Sequence, residues 1–377
     1  MLEKVRYKFN ENYTGSDSPN DGIANSEIID FHKHIPGYDP SPLIKVESNS
    51  LTKTMHIKDE STRFNINSFK GLGASYSIFS ILKERLKKEM NIDLKASNLW
   101  DGSIKNLPSI TFSAATDGNH GKAVAWFSKL IKQTAIIYMP ENSAEARIKS
   151  IEAEGATVVL IDGTFDDCVR ICNEDSTHNN YEIVSDTAYI GNLERPMSII
   201  LGYTTLFKEL DVQTSQVYDY VFVPAGVGGI AAAAALYFKH YKKSNTKIIV
   251  VEPLSSSCIL ESLIANKAVA SNGLQDSIMA GLNCGFPSLR SWDILKNSMY
   301  LSIAIPDMYV YTAATYYYRY GISTGESGAA ALAGLLAIMD DPILSSNLNI
   351  NSSSVLLLNT EGMTNPEFCF SLEANLE

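Results

Sequence analysis

The sequence predicts an α/β fold with a largely parallel sheet, and three observations carry that prediction. Short apolar runs alternate with stretches of helical periodicity through the middle of the chain, which is the pattern of βαβ units. Glycine-rich turns stand where a strand candidate meets a helix candidate, above all at 225–231. The 377 residues exceed one ordinary hydrophobic core, so the chain forms two lobes or one large α/β unit.

In chain order, residues 1–36 are polar, with a loop at Gly15-Ser16-Asp17-Ser18-Pro19-Asn20-Asp21-Gly22 and a weak helix near 26–34. Tyr38-Asp39-Pro40-Ser41-Pro42-Leu43 leads in to a short strand at 55–60 that ends in charges. The lysine turn Asn67-Ser68-Phe69-Lys70-Gly71-Leu72-Gly73 comes next. Over 78–94 the spacing Ile78, Ile81, Leu82, Leu86 predicts a helix whose lysines and glutamates face solvent. Strands are expected at 109–113, 134–139, 157–161 and 181–184, with helices at 121–132, 144–154 and 165–172 between them. Pro140 ends one strand and Gly155 one helix.

Then the strand 220–224 enters Ala225-Gly226-Val227-Gly228-Gly229-Ile230-Ala231, followed by a helix over 232–241 and a strand over 247–252. Beyond Pro253 the pattern is mixed. The tyrosine-rich stretch 311–320 reads as a packed helix, Gly325-Glu326-Ser327-Gly328 opens another, and the buried strand 355–358 runs into Asn359-Thr360-Glu361-Gly362. There are no internal repeats.

Composition narrows the function. A balance of 31 basic against 42 acidic residues, net −11, argues against a nucleic-acid or anionic-membrane partner and favours a small-molecule substrate. No apolar run approaches the roughly 18 residues that span a bilayer, and Met1-Leu2-Glu3-Lys4-Val5-Arg6 lacks a signal-peptide core, so a cytoplasmic protein is expected. The five cysteines are sparse and odd in number, as in a reducing compartment. Cys168 and Cys172 can share a helix face, but without a second pair they read as core thiols, and no metal site is expected.

Three segments carry chemistry. Lys70 sits in an apolar, glycine-flanked turn that disfavours its charged form, as suits an amine nucleophile. The turn Ala115-Thr116-Asp117-Gly118-Asn119-His120-Gly121 follows it. Farther on, Gly226-x-Gly228-x-x-Ala231 lies between a strand and a helix with Glu252 downstream, which taken alone fits a dinucleotide fingerprint. The same backbone N–H groups at a helix N-terminus suit any phosphate, including a single one.

Together these turns resemble those of the tryptophan-synthase-like (fold type II) pyridoxal phosphate enzymes over roughly residues 37–365, and within them the diaminopropionate ammonia-lyases, which share Ala-Thr-Asp-Gly-Asn-His-Gly. The resemblance implies a two-domain α/β fold, with largely parallel twisted sheets flanked by helices. It places a large cofactor-binding domain at 1–90 and 206–377 and a small domain at 91–205. Pyridoxal 5'-phosphate is the implied cofactor, with Lys70 as its Schiff-base lysine, Phe69 near the ring and Asn119 beside the phenolic oxygen. Gly226, Val227, Gly228 and Gly229 would receive the phosphate, Glu326 would lie close to the cofactor and Thr360 would face the pyridine nitrogen. Asp117 is the implied second base, and Asp186, in Ser185-Asp186-Thr187-Ala188, the residue that holds the substrate's β-ammonium. A homodimer is implied as well.

Met279-Ala280-Gly281-Leu282 and Cys284-Gly285 match a further segment, where Cys284 is expected to be structural, but Phe286 replaces the acidic residue usual in the ammonia-lyases. Three functions therefore stay open. They are the ammonia-lyase acting on 2,3-diaminopropionate, a serine or threonine dehydratase or β-replacement synthase of the same fold, and an NAD-linked dehydrogenase resting on the Gly226 fingerprint.

Overall fold

The computed structural model describes residues 4–14, 26–47, 51–104, 107–116, 118–189, 192–363 and 368. The chain divides into two compact units, one of Met1–Ala24, Pro40–Arg63 and Leu206–Glu377, the other of Asn25–Asp39 and Phe64–Thr205.

The first unit is built on a seven-stranded sheet. Its strands are β1 (Arg6–Phe9), β2 (Leu43–Lys45), β3 (Thr54–Asp59), β8 (Tyr220–Pro224), β9 (Lys247–Pro253), β10 (Leu301–Ile305) and β11 (Ser354–Asn359), in the order β1-β10-β9-β8-β11-β3-β2. The inner strands are parallel, and β1 and β2 close the edges antiparallel. Val221, Phe222, Ile249, Val251, Leu356 and Leu357 are all fully buried, as central parallel strands with helices on both faces require.

The charges that end β3 do not face solvent. Lys58 is fully buried with its Nζ 2.6 Å from Glu209 Oε2, and Arg63 joins Glu60 at 2.8 Å and Glu209 at 2.9 Å. Removing one member of so buried a set leaves an uncompensated charge, a loss of about 3–5 kcal/mol.

The second unit carries a four-stranded parallel sheet, β6-β5-β4-β7, made of β4 (Thr111–Ala115), β5 (Thr134–Pro140), β6 (Thr157–Ile161) and β7 (Glu182–Ile183). This unit also takes in 25–39 and 64–90, segments the sequence reading assigned to the large domain. The reason is packing. Phe31 stacks on Phe79 at 4.4 Å and touches Tyr76 and Phe127, so the helices Glu27–His34, Lys70–Met90 and Asn119–Leu130 share one apolar interior.

The expected helix over 78–94 begins earlier, at Lys70 itself. Gly71 and Gly73 read as turn residues in the sequence, yet they lie inside the helix because neighbours crowd it. A Cβ at Gly71 would stand 2.9 Å from the Phe64 ring, and one at Gly73 2.4 Å from the Tyr203 ring. Cys168 and Cys172 are buried together with Tyr138, as core thiols.

Candidate active site

In the second unit, the chain approaches Lys70 through Phe64, Asn65 and Asn67, all in the left-handed backbone region at φ 52°, 61° and 62°. Asparagine tolerates that region, but a bulky phenylalanine is strained there. The Phe64 ring stacks on Trp126 at 4.7 Å, which holds the bend. Lys70 is thereby fixed as the first residue of a 21-residue helix, with Phe69 at the cap position and buried Ser68 accepting the Lys70 N–H at 3.3 Å.

Lys70 Nζ lies 2.6 Å from Asp186 Oδ2 and 5.4 Å from the centre of the Phe69 ring, and the Lys70 and Asp186 side chains are 19% and 22% exposed. Burial alone would raise the Asp186 carboxyl. The Lys70 ammonium, His120 and hydrogen bonds from Lys70 and Thr187 outweigh burial and hold it well below the usual carboxylate range.

The Ala115–Gly121 segment owes its shape to local chemistry. The Thr116 hydroxyl accepts the N–H of Gly118 at 3.1 Å and of Gly121 at 3.3 Å. A Cβ at Gly121 would fall 2.3 Å from Thr116 Cγ2, so glycine is needed for the helix to close on β5. Asn119 opens the helix and is half-buried. His120 is buried, its Nε2–H donates to the Val184 carbonyl at 2.7 Å, and burial pulls its imidazole below the ordinary value, so it ties the turn to the segment that carries Asp186. Asp117 lies outside the described residues.

In the first unit, β8 enters the loop 225–228, and the helix Gly229–Ala235 starts immediately and continues as a π-helical turn, Leu236–Tyr241. The N–H groups of Gly226, Val227, Gly228 and Gly229 donate to no acceptor among the described residues. Gly228 adopts φ 92°, a conformation that favours glycine, and a Cβ at Gly226 would meet Cys284 Sγ at 2.6 Å. Four open donors at a helix N-terminus, in a loop crowded at Gly226 and Gly228, suit the single phosphate of pyridoxal phosphate. Cys258 and Cys284 both line this loop, Cys258 with its Sγ 3.5 Å from the Gly226 carbonyl oxygen.

Thr360 is buried, and its hydroxyl reaches the Ser327 carbonyl only at 3.5 Å, which leaves it capacity for a ring nitrogen. Glu326 is buried in the turn before the helix Ala330–Met339. Glu361 and Ser327, which the sequence reading gave no role, hold this corner. Glu361 Oε1 accepts the Ser327 N–H at 3.1 Å, its carbonyl accepts the Gly325 N–H at 3.2 Å, and Ser327 Oγ accepts the Gly281 N–H at 3.1 Å. Without Cβ atoms, Gly325 and Gly328 pack directly against 359–362.

Glu252, the acid of the dinucleotide reading, is fully buried. Its carboxyl accepts the N–H groups of Ile259 at 2.7 Å and Leu260 at 2.8 Å and the Ser302 hydroxyl at 2.9 Å, while burial pushes it up to about 8. A carboxyl spent on a helix N-terminus is not placed to hold a ribose, and the NAD reading loses its second support.

The family model for pyridoxal-phosphate dependent enzymes matches residues 35–359. The chain is 34% identical to a diaminopropionate ammonia-lyase of Salmonella typhimurium, over 97% of each chain. A crystal structure of the Escherichia coli diaminopropionate ammonia lyase in complex with an aminoacrylate-PLP azomethine reaction intermediate aligns with a TM-score of 0.87 at 31% identity, over 99% of this chain and 98% of the other. The same enzyme in complex with D-serine aligns with a TM-score of 0.88, again at 31% identity and over 99% and 98% of the chains. On these matches over nearly its full length, the chain belongs to the pyridoxal-phosphate dependent enzyme family, in its diaminopropionate ammonia-lyase branch.

Proposed function

We propose that this protein is a pyridoxal phosphate-dependent carbon-nitrogen lyase that converts 2,3-diaminopropionate to pyruvate and two ammonia by α,β-elimination. The observation that carries the reading is the Lys70–Asp186 pair at 2.6 Å, because this reaction needs both a base at Cα and an anion for a second ammonium. Bound pyridoxal phosphate supplies the electron sink that acidifies the Cα–H bond.

The chain's own residues do the rest. Lys70 would hold the cofactor through its amine and would take the Cα proton on its own side. Asp186, kept ionised, holds the β-ammonium until it departs, and Asp117 serves as base for the opposite substrate hand. Phe69 would pack near the cofactor ring and Asn119 would lie beside its phenolic oxygen, with Glu326 close by. Gly226, Val227, Gly228 and Gly229 receive the phosphate through their N–H groups. Thr360 offers the ring nitrogen a hydroxyl instead of a carboxylate, which favours a weaker sink suited to early loss of a β-group over transamination. The protein works in the cytoplasm, in keeping with its sparse cysteines, as a homodimer.

A dehydratase is the second reading, favoured by Phe286, which is 44% exposed and uncharged where the ammonia-lyases carry an acid. Steady-state assay of pyruvate release from 2,3-diaminopropionate and from serine and threonine decides between them. The lyase reading expects 2,3-diaminopropionate to have the highest kcat/KM, because unprotonated hydroxide is the poorer leaving group. A preference of about tenfold or more for serine or threonine, equal to 1.4 kcal/mol of transition-state binding, replaces the lyase with the dehydratase.

A further inference from the structure

A buried phenol stands beside the Lys70–Asp186 pair and has no part in the roles above. The helices Lys70–Met90 and Glu194–Lys208 meet at glycines. A Cβ at Gly202 would lie 2.5 Å from the Leu72 carbonyl oxygen, and one at Gly73 2.4 Å from Cε1 of Tyr203. His32 locks this meeting point, with Nδ1 2.7 Å from Thr205 Oγ1 and Nε2 2.9 Å from the Leu72 carbonyl oxygen.

Tyr203 is consequently laid over the start of the Lys70 helix. It is 1% exposed, and its ring is tilted on Phe69 with the centroids 4.7 Å apart. Its hydroxyl is buried and makes no well-shaped hydrogen bond with any described residue. Burial raises this phenol far above its ordinary value, the Lys70 ammonium draws it back and the Asp186 carboxylate pushes it up again, so it stays neutral and both charges act on it at short range. A buried hydroxyl without a well-shaped hydrogen bond, set beside a reactive amine, calls for a role.

We propose that Tyr203 is a positioning residue for Lys70, its neutral phenol oxygen giving the amine a second acceptor beside Asp186. This rests on the reading of Lys70 as the cofactor-bearing lysine. An ammonium has three donors, and Asp186 Oδ2 engages one of them at 2.6 Å. The phenol oxygen takes another, fixes the direction of the side chain and favours the charged amine. The ring of Tyr203 fills the space that Gly73 leaves open, so removal of the hydroxyl alone disturbs the amine and not the packing.

The test is Tyr203→Phe, read in two ways. In protein stripped of cofactor and recharged with pyridoxal phosphate, the pH midpoint of cofactor uptake, followed by visible absorption, should fall by about half a unit or more, because the charged amine has lost an acceptor. In the holoenzyme, kcat should fall about tenfold, the loss of one hydrogen bond to a charged group, with KM changed much less. Tyr203→Gln returns an oxygen acceptor and should restore the midpoint in part.

A Tyr203→Phe protein with unshifted midpoint and unchanged kcat overturns the proposal, as does one that loses only thermal stability. Borohydride reduction of the wild-type holoenzyme separates this failure from that of the underlying reading. A pyridoxyl label on Lys70 together with an unshifted midpoint removes the role of Tyr203 alone, whereas a label on another lysine removes the reading of Lys70.

Discussion

Replacing Gly226 by alanine tests the phosphate loop at its tightest point. The added Cβ would stand 2.6 Å from Cys284 Sγ, 3.3 Å from the Gly281 carbonyl oxygen and 3.3 Å from Leu282 Cα. The first distance lies far inside contact, and the other two involve backbone that cannot swing away. The loop or the segment 279–284 must therefore shift, and overpacking of this kind costs about 1–3 kcal/mol.

If that cost falls on the bound form, where four N–H groups must converge, the dissociation constant for pyridoxal phosphate rises about 5- to 150-fold. Titration of the stripped protein with cofactor, followed by visible absorption, measures it. Cys284→Ala in the same chain removes the 2.6 Å contact and leaves the two at 3.3 Å, so the double variant should recover at least about half of the lost binding free energy. Unchanged affinity in Gly226→Ala, or a double variant no better than the single, refutes the assignment of the loop.

Other outcomes follow from the lysine side. In Asp186→Asn the amine loses its charged partner, and a pair only about one-fifth exposed is worth about 1–3 kcal/mol. Because Asp186 is held below its ordinary value of 3.8, that stability is fully present above 3.8 and is lost as the pH falls through the depressed value. Denaturant titrations should thus show the gap between wild type and variant widest near neutrality and shrinking below about pH 4, and a gap that grows in acid contradicts the pairing. Asp117→Asn should depress turnover of D-2,3-diaminopropionate by about 100-fold or more while the L-isomer, deprotonated by Lys70, loses far less. Equal losses for the two hands would mean that Asp117 shapes its turn or binds substrate instead.

The alternation of strands and helices was legible because its central strands are continuous β-branched and aromatic runs. The expected span 220–224 coincides with β8, and 247–252 falls within β9. The edge strands β1 and β2 were not legible, being short and largely uncovered, and the antiparallel partner of β1, β10, lies far away in sequence. The start of the Lys70 helix was misread as a turn for a related reason. Gly71 and Gly73 break helices by propensity, but here they answer to rings of Phe64 and Tyr203 that only the folded chain brings near.

At the candidate site, local motifs marked Lys70, Asn119 and the 226–229 loop, since each is shaped by its own neighbours in sequence. What stayed hidden was relational. Glu361 and Ser327 secure the Thr360 corner through long-range hydrogen bonds, and Tyr203 reaches Phe69 from a separate helix. Glu252 shows the reverse error, a fingerprint residue whose carboxyl the fold has committed to a helix N-terminus.

The proposed function requires Lys70 to be the residue that carries the cofactor. Borohydride reduction of the holoenzyme, followed by proteolysis and peptide mapping, tests it most directly. A single pyridoxyl label on Lys70, together with loss of the visible band in Lys70→Ala, is the predicted result. A label on any other lysine, or a Lys70→Ala protein that keeps both the band and its shift on adding 2,3-diaminopropionate, would contradict it.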